Sequence, residues 1–144
     1  MVIPDDIAKA AAQLLTAHKE ELGLEMAGEI GETLPAAFTA PYAAIYIDTV
    51  EESATHLTGA NVMAVPFELF VQISSASLQT VAEASTQAWN IAFKSALLLI
   101  NNAPTINGVI IPLKLRPLPF QILKKEASQT VIEIRLRFYL NKWD

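Results

Sequence analysis

Few side chains in this chain of 144 residues could do chemistry. There are two histidines and no cysteine, so disulfides, thiolate metal sites and a cysteine nucleophile are excluded together. His18 falls among Ile7, Ala11, Leu14, Leu15 and Leu22 at helical spacing, where an amphipathic side chain sits at a core margin. His56 follows Asp48, Glu51 and Glu52, three carboxylates that could be drawn around a metal ion. Their spacing matches no established ligand pattern, and solvated loop acids are far commoner. Glu51 and Glu52 are adjacent and diverge in a loop, which does not suit a paired acid and base. There is no Gly-x-Ser-x-Gly elbow, no Gly-x-Gly-x-x-Gly turn and no Walker lysine. The expectation is a protein that is not an enzyme, with no catalytic set, no cofactor and no metal.

The basic residues offer a different chemistry. Lys114, Arg116, Lys124, Lys125, Arg135 and Arg137 alternate along two β-rich segments near Phe120 and Tyr139, in the manner of a nucleic-acid surface. The whole chain is nevertheless acidic, with net charge −5 and pI near 5.0, where a dedicated binder is strongly basic. Charge is also split. Residues 1–100 carry twelve acids against three lysines, net −9, and residues 101–144 carry net +4. Either the tail neutralises its own body, or copies meet acidic face on basic face, head to tail, which in closed form makes a ring. The second reading nominates a subunit interface in which outward Arg135 and Arg137 meet the acidic loop at Glu51 and Glu52. A protein partner is favoured over nucleic acid.

Composition points the same way. Hydrophobic residues make up 52% and charged residues only 17%, where about 25% charged is usual. No apolar run approaches the roughly 18 residues of a membrane span. The N-terminus carries Asp5 and Asp6 where a signal peptide would be basic, so no export signal is expected. Lack of cysteine fits a reducing cytosol. Self-association then accounts for the missing charge.

The elements that must position these residues can be read in order. Pro4, Asp5 and Asp6 open a helix that Gly23 closes. Residues 24–42, with Gly28, Gly31, Pro35 and Pro41, read as an extended connector. A strand is predicted over 43–50, then a loop over 51–61, then an alternating strand over 64–74 whose Pro66 hints at a sheet edge. A helix over 78–100, with Ser77 as N-cap, carries Ala84, Ala88, Ala92 and Ala96 as an i, i+4 row of small residues. It is apolar nearly all round, which suggests that another chain covers part of it. Asn107-Gly108 predicts a tight turn between short strands at 104–106 and 109–112. A hairpin of 118–125 with 130–140 ends the chain, with Ile132, Ile134, Leu136, Phe138 and Leu140 inward and Val131, Glu133, Arg135, Arg137 and Tyr139 outward. The expected fold is a single α+β domain over 1–144: an antiparallel sheet of about four strands against a long helix, plus an N-terminal helix, in the order α-β-β-α-β-β.

This layout resembles the tail terminator (tail completion, or head-tail joining) proteins of long-tailed bacteriophages, especially the Mu-like group. The resemblance is carried by the N-terminal helix, the linker 30–38 (IGETLPAAF) leading to the strand 43–48 (AAIYID), and the strand 67–73 (FELFVQI). The small-residue helix and the final Arg-rich strand complete it, so most of the chain is covered. The resemblance implies a virion structural protein that assembles as a hexameric ring on the end of the tail tube. Such a ring stops tube growth and presents a surface to the head connector. Its partners would be its own copies, tube and connector proteins, and its place the virion tail, or the host cytoplasm during assembly. No membrane is implied. The competing class is a stand-alone small-ligand-binding or enzymatic α+β domain, which needs a pocket with convergent polar groups. An adaptor in a phage-derived contractile or secretion particle differs in context rather than in physics.

Overall fold

Asp6 accepts a hydrogen bond from the Ile3 N–H at 3.0 Å, so the helix start marked by Pro4 is closed by its own third residue. The computed structural model, which describes residues 2–30, 39–49, 56–58 and 62–141, runs this helix, α1, over Pro4–Ala17. His18 interrupts it. A single further turn, α2, covers Lys19–Leu22 and ends at Gly23, whose φ of 82° is the left-handed cap that glycine takes without strain.

The expected connector holds a strand. β1, Met26–Glu29, lies parallel to β2, Tyr42–Thr49, with Met26 opposite Tyr42 and Glu29 opposite Ile45. Backbone bonds from the Glu25 N–H to the Pro41 carbonyl (2.8 Å) and from the Ile30 N–H to the Ile45 carbonyl (3.0 Å) extend the ladder at both ends. Thr16 ties α1 to this strand by donating to the Ala27 carbonyl at 3.2 Å. The sheet is therefore mixed rather than wholly antiparallel.

β4, Val62–Ser74, pairs antiparallel with β2 on one side and with β8, Thr130–Asn141, on the other. It is a central strand, so the edge position inferred from Pro66 does not hold. Pro66 falls between the residues that β2 pairs and those paired by β3, His56–Thr58, a short strand within the expected loop. On that side its missing N–H interrupts neither ladder, while on the other it stands opposite Tyr139 of β8. β7, Lys114–Lys125, completes the sheet beyond β8, giving the order β1-β2-β4-β8-β7 with β3 beside β4. β7 starts earlier than expected, and its register shifts between Leu115 and Phe120, across Pro117 and Pro119. The Asn107-Gly108 turn is present, both residues at positive φ, between β5 (Thr105–Ile106) and β6 (Val109–Ile110).

The long helix, α3, spans Val81–Asn101 and is capped by Thr80, not Ser77. The Thr80 hydroxyl oxygen accepts from the Glu83 N–H at 3.1 Å and donates to the Glu83 carboxylate at 3.0 Å. Leu78 is held out of the helix because its N–H donates to the Ala127 carbonyl at 2.8 Å. Ala84, Ala88, Ala92 and Ala96 are all buried, which lets α3 lie close on β8 and β7. α1 covers β1 and β2 on the same face. Between the helices and the sheet sits one core, with Ile7, Leu15, Ile45, Leu69, Val71, Leu99, Ile132, Leu136 and Phe138 all but inaccessible. The molecule is an α+β fold of two layers, with helices on one face and the other face open.

Candidate functional site

The open face of the sheet gathers most of the polar residues that the strands point away from the core. Register puts them in rows across the strands. Ala44, Gln72, Glu133 and Gln121 form one row; Tyr46, Phe70 and Arg135 form the next; Asp48, Glu68, Arg137 and Lys114 form a third. Glu133, only 4% exposed, is the hub. The Tyr46 hydroxyl donates to its Oε2 at 2.6 Å, Gln72 Nε2 donates to the same oxygen at 3.2 Å, and Arg135 Nε donates to Oε1 at 3.2 Å. The Tyr46 ring stacks on Phe70 with centroids 4.8 Å apart, and the Arg135 guanidinium lies 5.9 Å over the Phe70 ring. Burial, then the hydrogen bond and charge of Glu133, push the Tyr46 phenol up from 10.0 to about 12. It is a neutral donor at any ordinary pH and unsuited to act as a base.

Arg135 and Arg137, nominated from the sequence as interface residues, are both on this face and both engaged by their own chain. Arg135 pairs with Glu133 and also donates to the side-chain oxygen Oε1 of Gln121. Arg137 Nη2 lies 4.0 Å from Glu68 Oε1, and the same oxygen is held by Arg116 Nε. Arg116 and Arg137 of the basic tail therefore neutralise Glu68 of the body, in the sense of the internal reading of the charge split. Glu51 and Glu52 lie outside the described residues.

Of the remaining nominated residues, the His56 side chain lies outside the described ones, as Glu51 and Glu52 do. His18 Nδ1 is 3.5 Å from Glu21 Oε2 on the helix surface, a local contact within one turn. Among the described residues no three His, Cys, Asp or Glu side chains come together around a point that could hold a metal ion. None of their helices is long and apolar enough to cross a membrane. A surface groove of about 460 Å³ lies between the start of α1 and the β1–β2 side of the sheet, lined by Asp5, Asp6, Lys9, Glu29 and Tyr46 among others.

A second surface joins the apolar helix, expected from the sequence to be partly covered by another chain, to a strand that the sequence did not nominate. Along β7, Leu115, Leu118, Ile122 and Leu123 are exposed, Leu118 to 81%. Phe93 of α3, 51% exposed, meets Phe120 of β7 edge-on with centroids 5.1 Å apart, and Leu97, one turn further along α3, is 60% exposed. Apolar side chains on both faces of one edge strand are the local signal, visible in the run LPFQIL of residues 118–123. Comparison of the sequence with protein-family models and with curated proteins finds no match.

Proposed function

We propose that the chain is a ring-forming structural subunit of a phage tail, a tail terminator that caps the tail tube and joins it to the head. The observation that carries the reading is the exposed apolar edge of β7 and α3, on a chain with only 17% charged residues. Exposed apolar patches of this kind, framed by charges, are the usual mark of a protein interface. The α+β layout and the linker and strand texture quoted above support the assignment to this class of subunit. The polar open face supports it too: its hydrogen-bonding groups are spent on one another, which makes a rigid plate rather than a substrate pocket.

The test is electron microscopy of the purified protein added to growing tail tubes of a long-tailed phage. The expected result is a ring of density on one tube end and arrest of elongation. Tubes that lengthen unchecked with bare ends would overturn the assignment. The alternative, a stand-alone ligand-binding domain, rests on the groove at Asp5, Asp6 and Lys9. It predicts a monomer at all concentrations.

A further inference from the structure

The two ends of the sheet are chemically opposite. β7, at one end, carries Lys114, Arg116, Lys124 and Lys125 and no acid. The other end, the continuous segment 4–29 that runs from α1 through β1, carries Asp5, Asp6, Glu20, Glu21, Glu25 and Glu29 against Lys9 and Lys19, a net of −4 against +4. Arg116 is committed to Glu68, and Lys124 lies 3.6 Å from Glu126, but Lys114 and Lys125 have no partner among the described residues. Shape is opposite as well. β7 projects Leu118, the most exposed large apolar side chain described, from between Pro117 and Pro119. The far end has a groove of about 470 Å³ between α1 and β1, with Ala12, Ala17 and Ala27 along it and Lys9, Gln13 and Glu29 at its borders.

From these observations we infer that the occupant of the β7 edge is a second copy of this chain: Leu118 enters the α1–β1 groove of the neighbour while the lysines of β7 face its acids. The contact is heterologous, since each copy uses a different end. Every copy thus keeps one free donor end and one free acceptor end until the set closes on itself. This deepens the ring reading by assigning its interface, and rests on it only for the closure. The exposed apolar side chains supply the driving force, and the charges set orientation and rate.

Two variants at solvent-exposed positions test it. Leu118→Asp spoils the projecting end and Ala17→Trp fills the groove. Wild type is expected to associate with concentration in sedimentation velocity, each variant alone to remain monomeric, and an equimolar mixture of the two to form one-to-one dimers and stop there. Circular dichroism and thermal melts check that each variant is folded. A separate pair, Lys124→Glu with Lys125→Glu, should raise the dissociation constant by at least about tenfold at about 50 mM salt, and by far less at about 1 M, where the screening length falls to about 3 Å. Wild type that stays monomeric, an Ala17→Trp variant that assembles like wild type, or a mixture without dimers would each overturn the inference. Tube capping is read separately, so loss of this interface and loss of the tail-terminator reading give different results.

Discussion

The Glu133 hub offers the sharpest test of the open face. Replacing Glu133 by alanine removes the acceptor of three hydrogen bonds, from Tyr46, Gln72 and Arg135. Hydrogen bonds to a charged partner contribute about 1.5–3 kcal/mol each where water is excluded. Glu133 is buried, but the Arg135 side chain is 35% exposed and water can replace its lost partner. The Tyr46 bond, at 2.6 Å, is the shortest of the three and belongs near the bottom of that range because its ring is only partly covered, about 1.5 kcal/mol. Glu133→Ala should therefore cost about 2–3 kcal/mol in urea unfolding, or roughly 6–9 °C in Tm. Tyr46→Phe should cost about 1.5 kcal/mol in the wild-type background and close to nothing in the alanine background. The coupling between the two changes is the quantity to measure. Effects that add to within about 0.3 kcal/mol would show that the Tyr46–Glu133 contact contributes nothing to stability and refute the reasoning.

The phenol gives an independent reading. Its folded value near 12 lies above the unfolded 10.0, so the extra stability is complete below pH 10 and is lost as pH climbs towards 12. The stability difference between wild type and Tyr46→Phe should shrink over that window, and absorbance at about 295 nm should show Tyr46 titrating earlier in Glu133→Ala. Thr80→Ala removes the cap of α3 and should cost about 1 kcal/mol by chemical unfolding. Ser95, fully buried in α3, has a hydroxyl with no hydrogen-bond partner among the described residues; Ser95→Ala should stabilise by up to about 1 kcal/mol, read as a rise in Tm. Leu136→Ala, in the centre of the core, should cost about 2–5 kcal/mol, measured by the shift in urea midpoint.

Local pattern was enough wherever one face of an element is apolar. The alternation of β8 placed Ile132 to Leu140 inward and Glu133, Arg135 and Arg137 outward, as they are. Asn107-Gly108 and the alanine row of α3 were legible for the same reason: each residue's own backbone or size sets its place. β1 was not legible, because Met26-Ala27-Gly28-Glu29 has no strand signal of its own and is drawn into the sheet by parallel bonding to β2. The cap at Thr80 was misread as Ser77 because the deciding bond, from Leu78 to Ala127, joins residues 49 apart. Glu133 was seen to point outward, but its meeting with Tyr46 and Gln72 depends on a register across three strands that no single segment encodes. The apolar excess was placed on the long helix from the sequence, while its share along β7 was located only by the fold.

The two prolines of β7 decide what kind of bonding an edge can offer. An unprotected sheet edge has an open valence, since its backbone groups accept any extended chain and then expose a new edge of the same kind. Pro117 and Pro119 have no N–H to give, and the four-residue β1 at the far end is too short to return a long ladder. Backbone pairing is therefore a poor adhesive between copies, and recognition passes to side chains, which have shape and sign. In the ring proposed above, contacts made by side chains would fix an angle between neighbours, and the set ends where that angle divides a full turn.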